Sequence, residues 1–142
     1  MKKLLLIAVV PMLAVTLLLT MGVNAQVKKG KERPLQTKNL MKGVVRANCG
    51  ALKKALDAGP ADDKAWAAVV LHAELLNECS HILMADGRCP DGAWAGAAKT
   101  LGGCSAVVLA KAEAKDVDGA KSAFGAMTKA CGACHSKHKK KK

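Results

Sequence analysis

From residue 37 onward, apolar residues recur every three to four positions in four successive segments, each bounded by Gly, Pro or Asp. That spacing lines one face of an α-helix. The first segment opens at Thr37, a candidate N-cap, and stops at Ala58-Gly59-Pro60. Its apolar face is Met41, Val44, Val45, Cys49, Leu52, Ala55 and Leu56, with Asn48 beside it. The second starts at Asp62 or Asp63 and carries Trp66, Val69, Val70, Ala73, Leu76, Cys79, Ile82 and Leu83 before Asp86-Gly87. The third starts near Asp91 and carries Trp94, Ala97, Ala98, Leu101, Cys104, Ser105, Val108, Leu109 and Ala112. Gly102-Gly103 weakens it by about 1 kcal/mol per glycine relative to alanine. The fourth starts near Asp116 or Asp118, with Val117, Ala120, Phe124, Met127, Cys131 and Cys134 on its face. Nothing alternates with period two, so the pattern predicts an all-α domain.

Four helices of similar length with short connections predict an up-down-up-down four-helix bundle over residues 37–139. In that topology the first helix begins, the second ends, the third begins and the fourth ends at one pole. Met41, His81, Trp94 and His135 are therefore expected together there. The turns at 58–61 and 115–118 belong at the opposite pole.

Residues 1–25 change the setting. Lys2 and Lys3 precede an apolar run over residues 4–19, and Val23-Asn24-Ala25 is a small-x-small cleavage site. This is the pattern of a secretory signal peptide removed after Ala25, which predicts an exported, periplasmic domain without a membrane anchor. Residues 26–36, with Gly30 and Pro34, read as a flexible linker. The formal net charge is +12, and much of it sits in Lys137, Lys139 and the basic tail 140–142. Export argues against a nucleic-acid partner. The charge suits steering toward an acidic redox partner instead.

The chemistry is concentrated in Cys131-Gly132-Ala133-Cys134-His135. Two cysteines three apart, followed directly by histidine, form the attachment pattern of haem c. Each thiol can add to one vinyl group, and the adjacent imidazole becomes an axial ligand of the iron. A zinc site would need two further ligands at similar spacing, and a thioredoxin-type pair would follow a strand; neither context is present. Nor does a nucleophile–base or paired-carboxylate constellation stand out, so the chain does not read as an enzyme.

The sixth position decides what the iron does. Met41, one turn inside the first helix, is the leading candidate, and a thioether there raises the reduction potential. Its bland alternative is a flexible apolar filler. His81, near the end of the second helix, is the alternative ligand. His72 reads as structural, His138 as solvated, and Met84 and Met127 as core fillers. Gly125, Ala126, Gly132 and Ala133 would admit a macrocycle close to the helix backbone. Lys139, one turn after His135, can tune it by charge.

Of the six cysteines, Cys49, Cys79, Cys89 and Cys104 lie outside the motif. An even remainder in an oxidising compartment suggests two disulfides. Cys79–Cys89 across a turn, with Cys49–Cys104 mid-helix, is the favoured pairing of the three that sequence leaves open.

With its haem motif at the end of a four-helix chain, the sequence over residues 37–139 resembles the class II c-type cytochromes, the cytochrome c-prime group and its low-spin relatives. Lys129-Ala130-Cys131-Gly132-Ala133-Cys134-His135 looks like that family's closing helix, and Leu40-Met41-Lys42 with Asn48 looks like the opening helix of its low-spin members. The resemblance implies one covalent haem on Cys131 and Cys134, with His135 proximal and Met41 distal. It implies single-electron transfer, or, in five-coordinate members, binding of nitric oxide or carbon monoxide. It also implies that homodimers are common. Four extra cysteines and the lysine tail depart from the family's pattern.

Overall fold

The structure is a computed structural model and describes residues 29–139. The expected signal peptide over residues 1–25, residues 26–28 and the tail 140–142 lie outside the described residues. Four helices form the bundle. Helix α1 covers residues 37–58 in three consecutive pieces: an α-helical turn Thr37–Leu40, a π-helical turn Met41–Val45, and an α-helix Arg46–Ala58. Helices α2 (Asp63–Met84), α3 (Gly92–Glu113) and α4 (Val117–His138) are uninterrupted.

Three of the four starts share one device. Asp62, Asp91 and Asp116 each accept a hydrogen bond from the backbone N–H three residues on, at 2.7, 2.9 and 2.8 Å. Each such cap satisfies a donor that the first helical turn leaves open. Helix α1 differs. Gln36 is its N-cap and offers no side-chain bond. Thr37 is instead the first helical residue, and its hydroxyl accepts a bond from the buried Arg88 at 3.1 Å. The expectation of a Thr37 cap is corrected because that hydroxyl is already committed to a tertiary contact.

The chain folds up and down as the pattern predicts. Leu52 and Leu56 of α1, Val69, Ala73 and Leu76 of α2, Ala98, Leu101 and Val108 of α3, and Ala120 and Met127 of α4 fill the interior. At one pole, Lys115 in the α3–α4 turn pairs with Asp63 at the start of α2. At the other, the α2–α3 loop meets the start of α1 and the end of α4.

The sides of the bundle are unequally closed. Helices α2 and α3 pack along their length, as do α3 and α4, whereas α1 and α4 meet only lightly. Gly102 explains the tight side. A Cβ there would stand 2.6 Å from Ser80 Oγ, so only glycine lets α2 approach this closely. Asn77 then donates to the Gly102 carbonyl at 2.8 Å. The glycine that weakens α3 as an isolated helix is what joins it to α2.

Within the segment expected to be a linker, residues 29–36 are held against the bundle. Asp86 accepts backbone N–H bonds from Glu32 at 2.9 Å and Arg33 at 3.1 Å, and its own carbonyl accepts from Lys31 at 2.9 Å. Asp86 adopts a positive φ of 58°, which turns the loop toward this arm. Its carboxylate lies against Gly30 so closely that no Cβ fits there.

Candidate functional site

Cys131, Cys134 and His135 occupy the last two turns of α4. The helix extends through them, despite Gly132, because Asp91 of the α2–α3 loop holds its end. Lys137 Nζ lies 2.9 Å from Asp91 Oδ2. His138 Nε2 lies 3.3 Å from Asp91 Oδ1, without hydrogen-bond alignment, and its ring stands edge-on to Trp94 at 5.4 Å. Trp94 is fixed in turn by an Nε1–H bond to the Leu83 carbonyl at 2.8 Å. His138 is thus part of the packed pole rather than a solvated tail residue. Asp91, bonded by the Trp94 N–H and Lys137, has its carboxyl pulled down to about 2.

Both motif thiols are half-buried and His135 is exposed. Burial raises the pKa of Cys131 and of Cys134. Both therefore stay protonated at neutral pH and are not primed as nucleophiles. His135 shifts the other way: partial desolvation, then the charge of Lys139, lowers its pKa. The imidazole is neutral at physiological pH, the form that binds a metal. Phe124, Cys131 and His135 follow at intervals of seven and four, so they share one stripe of α4.

Across the light α1–α4 contact stands Cys49. Its thiol is pushed up to about 11, first by burial and then by the charges of Cys131 and Cys79. Cys49 of α1 is therefore within electrostatic reach of Cys131 of α4. Above it comes the π turn. An extra residue per turn rotates the preceding side chains relative to a straight α-helix. Leu40 becomes the fully buried residue, and Met41 is half-buried at the edge of the core. Asn48 braces this turn. Its amide donates to the Val44 carbonyl at 2.8 Å, and its Oδ1 is 2.9 Å from His72 Nδ1 on α2. Sequence periodicity places Asn48 beside the apolar face but does not reveal this bridge. The donor set present has the chemistry that haem attachment requires, two thiols and an imidazole near the end of α4, with Met41 and Val44 at the core edge of α1; the π turn makes no close backbone approach to α4.

Two expectations are corrected. His81 does not join this group. It is exposed and lines a shallow groove between α2 and α3 with Asn77, Ser80, Met84 and Lys99, the side of the bundle opposite the α1–α4 contact. The expected disulfides are also absent, since all six thiols are free. Cys79 points into the core at 1% exposure. Cys89 lies in the loop, its S–H directed at the Asp91 carbonyl at 3.5 Å. Cys49 feels Cys131 and Cys79, and Cys131 feels Cys104. Among the described residues no group of three or more His, Cys, Asp or Glu could hold a metal ion. Haem does not require such a group, because the porphyrin supplies its own nitrogens.

The chain matches no protein-family model, and neither curated proteins nor solved structures offer a similar chain.

Proposed function

We propose that the protein is an exported c-type cytochrome that carries one covalent haem and passes single electrons. The observation that carries the reading is that two elements end at one pole of the bundle, both tied to the α2–α3 loop. Cys131, Cys134 and a neutral His135 lie on α4, and a π turn beginning at Met41 lies on α1. π turns are uncommon in helices and gather at functional sites. When bound, the haem supplies the ferric–ferrous couple. Cys131 and Cys134 would hold it through thioethers, each S–H adding across one vinyl double bond. His135 and Met41 would be the protein's ligands to the iron. Asp91 and Trp94 keep the last turn of α4 in place through Lys137 and His138, and the Asn48–His72 bridge keeps the π turn in place.

Charge distribution supports an acidic partner. Lys31, Arg33, Lys38, Lys42 and Lys139 are exposed around this pole. The acids Asp86 and Asp91 there are engaged by backbone N–H groups. At the opposite pole Asp57, Asp63 and Asp116 are each paired with a lysine, so its charges offset one another. Association through the basic pole weakens as salt screens it.

The decisive experiment is the mass and absorption spectrum of the protein from a host competent to mature cytochromes. The reading expects one covalent haem and a six-coordinate, low-spin ferrous spectrum that reacts slowly with carbon monoxide. Met41→Ala should turn this into rapid carbon monoxide binding. A colourless protein of unmodified mass overturns the reading. A five-coordinate wild type that binds carbon monoxide at once replaces electron transfer with gas binding.

A further inference from the structure

His138 closes α4, three residues after His135. Its side chain is only 11% exposed, and the buried Nε2 has no hydrogen-bond partner. Buried polar atoms are ordinarily bonded, so this one calls for a physical reason. The ring is held on two sides. Trp94 stands edge-on at 5.4 Å and is itself fixed through the Leu83 carbonyl. Asp91 Oδ1 lies 3.3 Å from Nε2, and among the described residues no other acid is within ion-pair distance of the ring. The other charged groups around it are accounted for. Lys137 takes the second Asp91 oxygen, Lys139 is exposed, and Arg88 of the same loop is turned to Thr37 and Leu35. Cys134, one turn earlier, feels the Asp91 charge and keeps its proton.

Asp91 is a fixed anion here. The Trp94 N–H and Lys137 pull its carboxyl down to about 2, so it stays ionised wherever histidine changes charge. A neutral imidazole gains little from it, because Nε2 is out of line for a hydrogen bond. A protonated imidazole gains an ion pair, and attraction between opposite charges does not need that alignment. The proton on His138 therefore decides how firmly the last turn of α4 is tied to the α2–α3 loop. That turn carries His135.

We propose that His138 is a proton-linked positioning residue, which on protonation locks the last turn of α4 onto Asp91 and raises the reduction potential of the site at His135. The inference rests on the haem reading and deepens it by naming a regulation of the same site. A cation one turn from the proximal imidazole favours the more reduced, less positive iron. By reciprocity, gain of an electron favours gain of the proton. One electron arrives from the donor protein, one proton from solvent goes to the His138 ring, and Nε2–H then points at Asp91 Oδ1.

The test compares wild type with His138→Phe, which keeps a ring against Trp94 and takes no proton. Two properties are read between about pH 8 and pH 5, where histidine titrates. One is the midpoint potential of the haem-loaded protein. The other is the protection of the Ser136–Lys139 amides in the full haem-free chain, corrected for the intrinsic pH dependence of exchange. In wild type both should rise as pH falls, and in His138→Phe both rises should shrink. Loss of either difference between the two proteins overturns the proposal: an equal slope of potential would belong to other titrating groups, and equal protection would mean that no lock forms. Should His138→Phe fail to fold, His138→Gln carries the same comparison. A wild type that never acquires covalent haem overturns the haem reading and this inference with it. A haem-loaded wild type that responds as His138→Phe does overturns only the role of His138.

Discussion

The α2–α3 side and the α1–α4 side of this bundle are built from the same kinds of residue and behave oppositely. Both contain glycine. On the closed side Gly102 is pressed against Ser80, and Asn77 bonds its carbonyl. On α1 and α4, a Cβ at Gly43, Gly125 or Gly132 would meet nothing within 4 Å, as would one at Gly96 or Gly103 of α3. The closed side gains by contact, since close-packed helices exclude voids. The open side leaves half-buried thiols, a half-buried methionine and an exposed histidine unclosed by a neighbour. Close packing is concentrated on one side, while the thiols of Cys49, Cys131 and Cys134 remain only half-buried.

The largest effect that would break this comparison is chemical. Replacing Cys131 and Cys134 with alanine should abolish haem attachment while leaving the far-ultraviolet circular dichroism helical, because neither thiol belongs to the fully buried core. Loss of helicity on that change would show that the open side is structural after all. Next comes Gly102→Val. The added carbons must displace Ser80, so denaturant unfolding should show a loss of roughly 1–3 kcal/mol. The matched change on the open side, Gly132→Ala, should instead stabilise the haem-free chain by about 0.5–1 kcal/mol, since alanine is the better helix former and meets no neighbour. Similar signs for the two substitutions would erase the distinction.

Smaller effects sharpen it. Asn48→Ala removes the link between the π turn and α2, and its two bonds are each worth about 1 kcal/mol. The measurable sign should be faster carbon monoxide binding to the ferrous protein, together with slightly easier unfolding. The smallest effect is acid sensitivity. Asp91 titrates at about 2 in the fold and in the ordinary carboxylate range, near 3.8, when unfolded. A lowered carboxylate pKa means the unfolded chain binds its proton first as pH falls. The Asp91 contribution is thus complete above about pH 4 and declines as pH falls toward 2. Thermal melts across that window should show the decline in wild type and its attenuation in Asp91→Asn.

The helices were legible because the signals that specify them are local. Apolar spacing, three aspartate caps and the glycine stop at Gly59 act within one or two turns. The pole-to-pole arrangement followed from short connections alone. The π turn was not legible: Met41 to Val45 has no composition that distinguishes it from ordinary helix, although Leu40 before it and Leu52 after it are both buried. Thr37 looked like a cap because capping is a local property, while its actual partner lies fifty-one residues away. Arg88 looked like a loop residue. Its burial depends on the arm at 29–36, which composition alone makes a linker. The cysteines misled for a related reason. Sequence separation made Cys79 and Cys89 neighbours, but one sits in the core and the other in the loop beside α3.

The α2–α3 loop carries one last consequence. Asp86 fastens the arm, Arg88 fastens the first turn of α1, and Asp91 fastens both α3 and the last turn of α4. The two extremities of the domain are therefore moored to a single short segment, although they are about a hundred residues apart in the chain. Fraying at one end should be felt at the other. Amide protons near Leu40 and near Ser136 ought to exchange through one shared opening, and a pair of residues inserted after Gly87 ought to release both together.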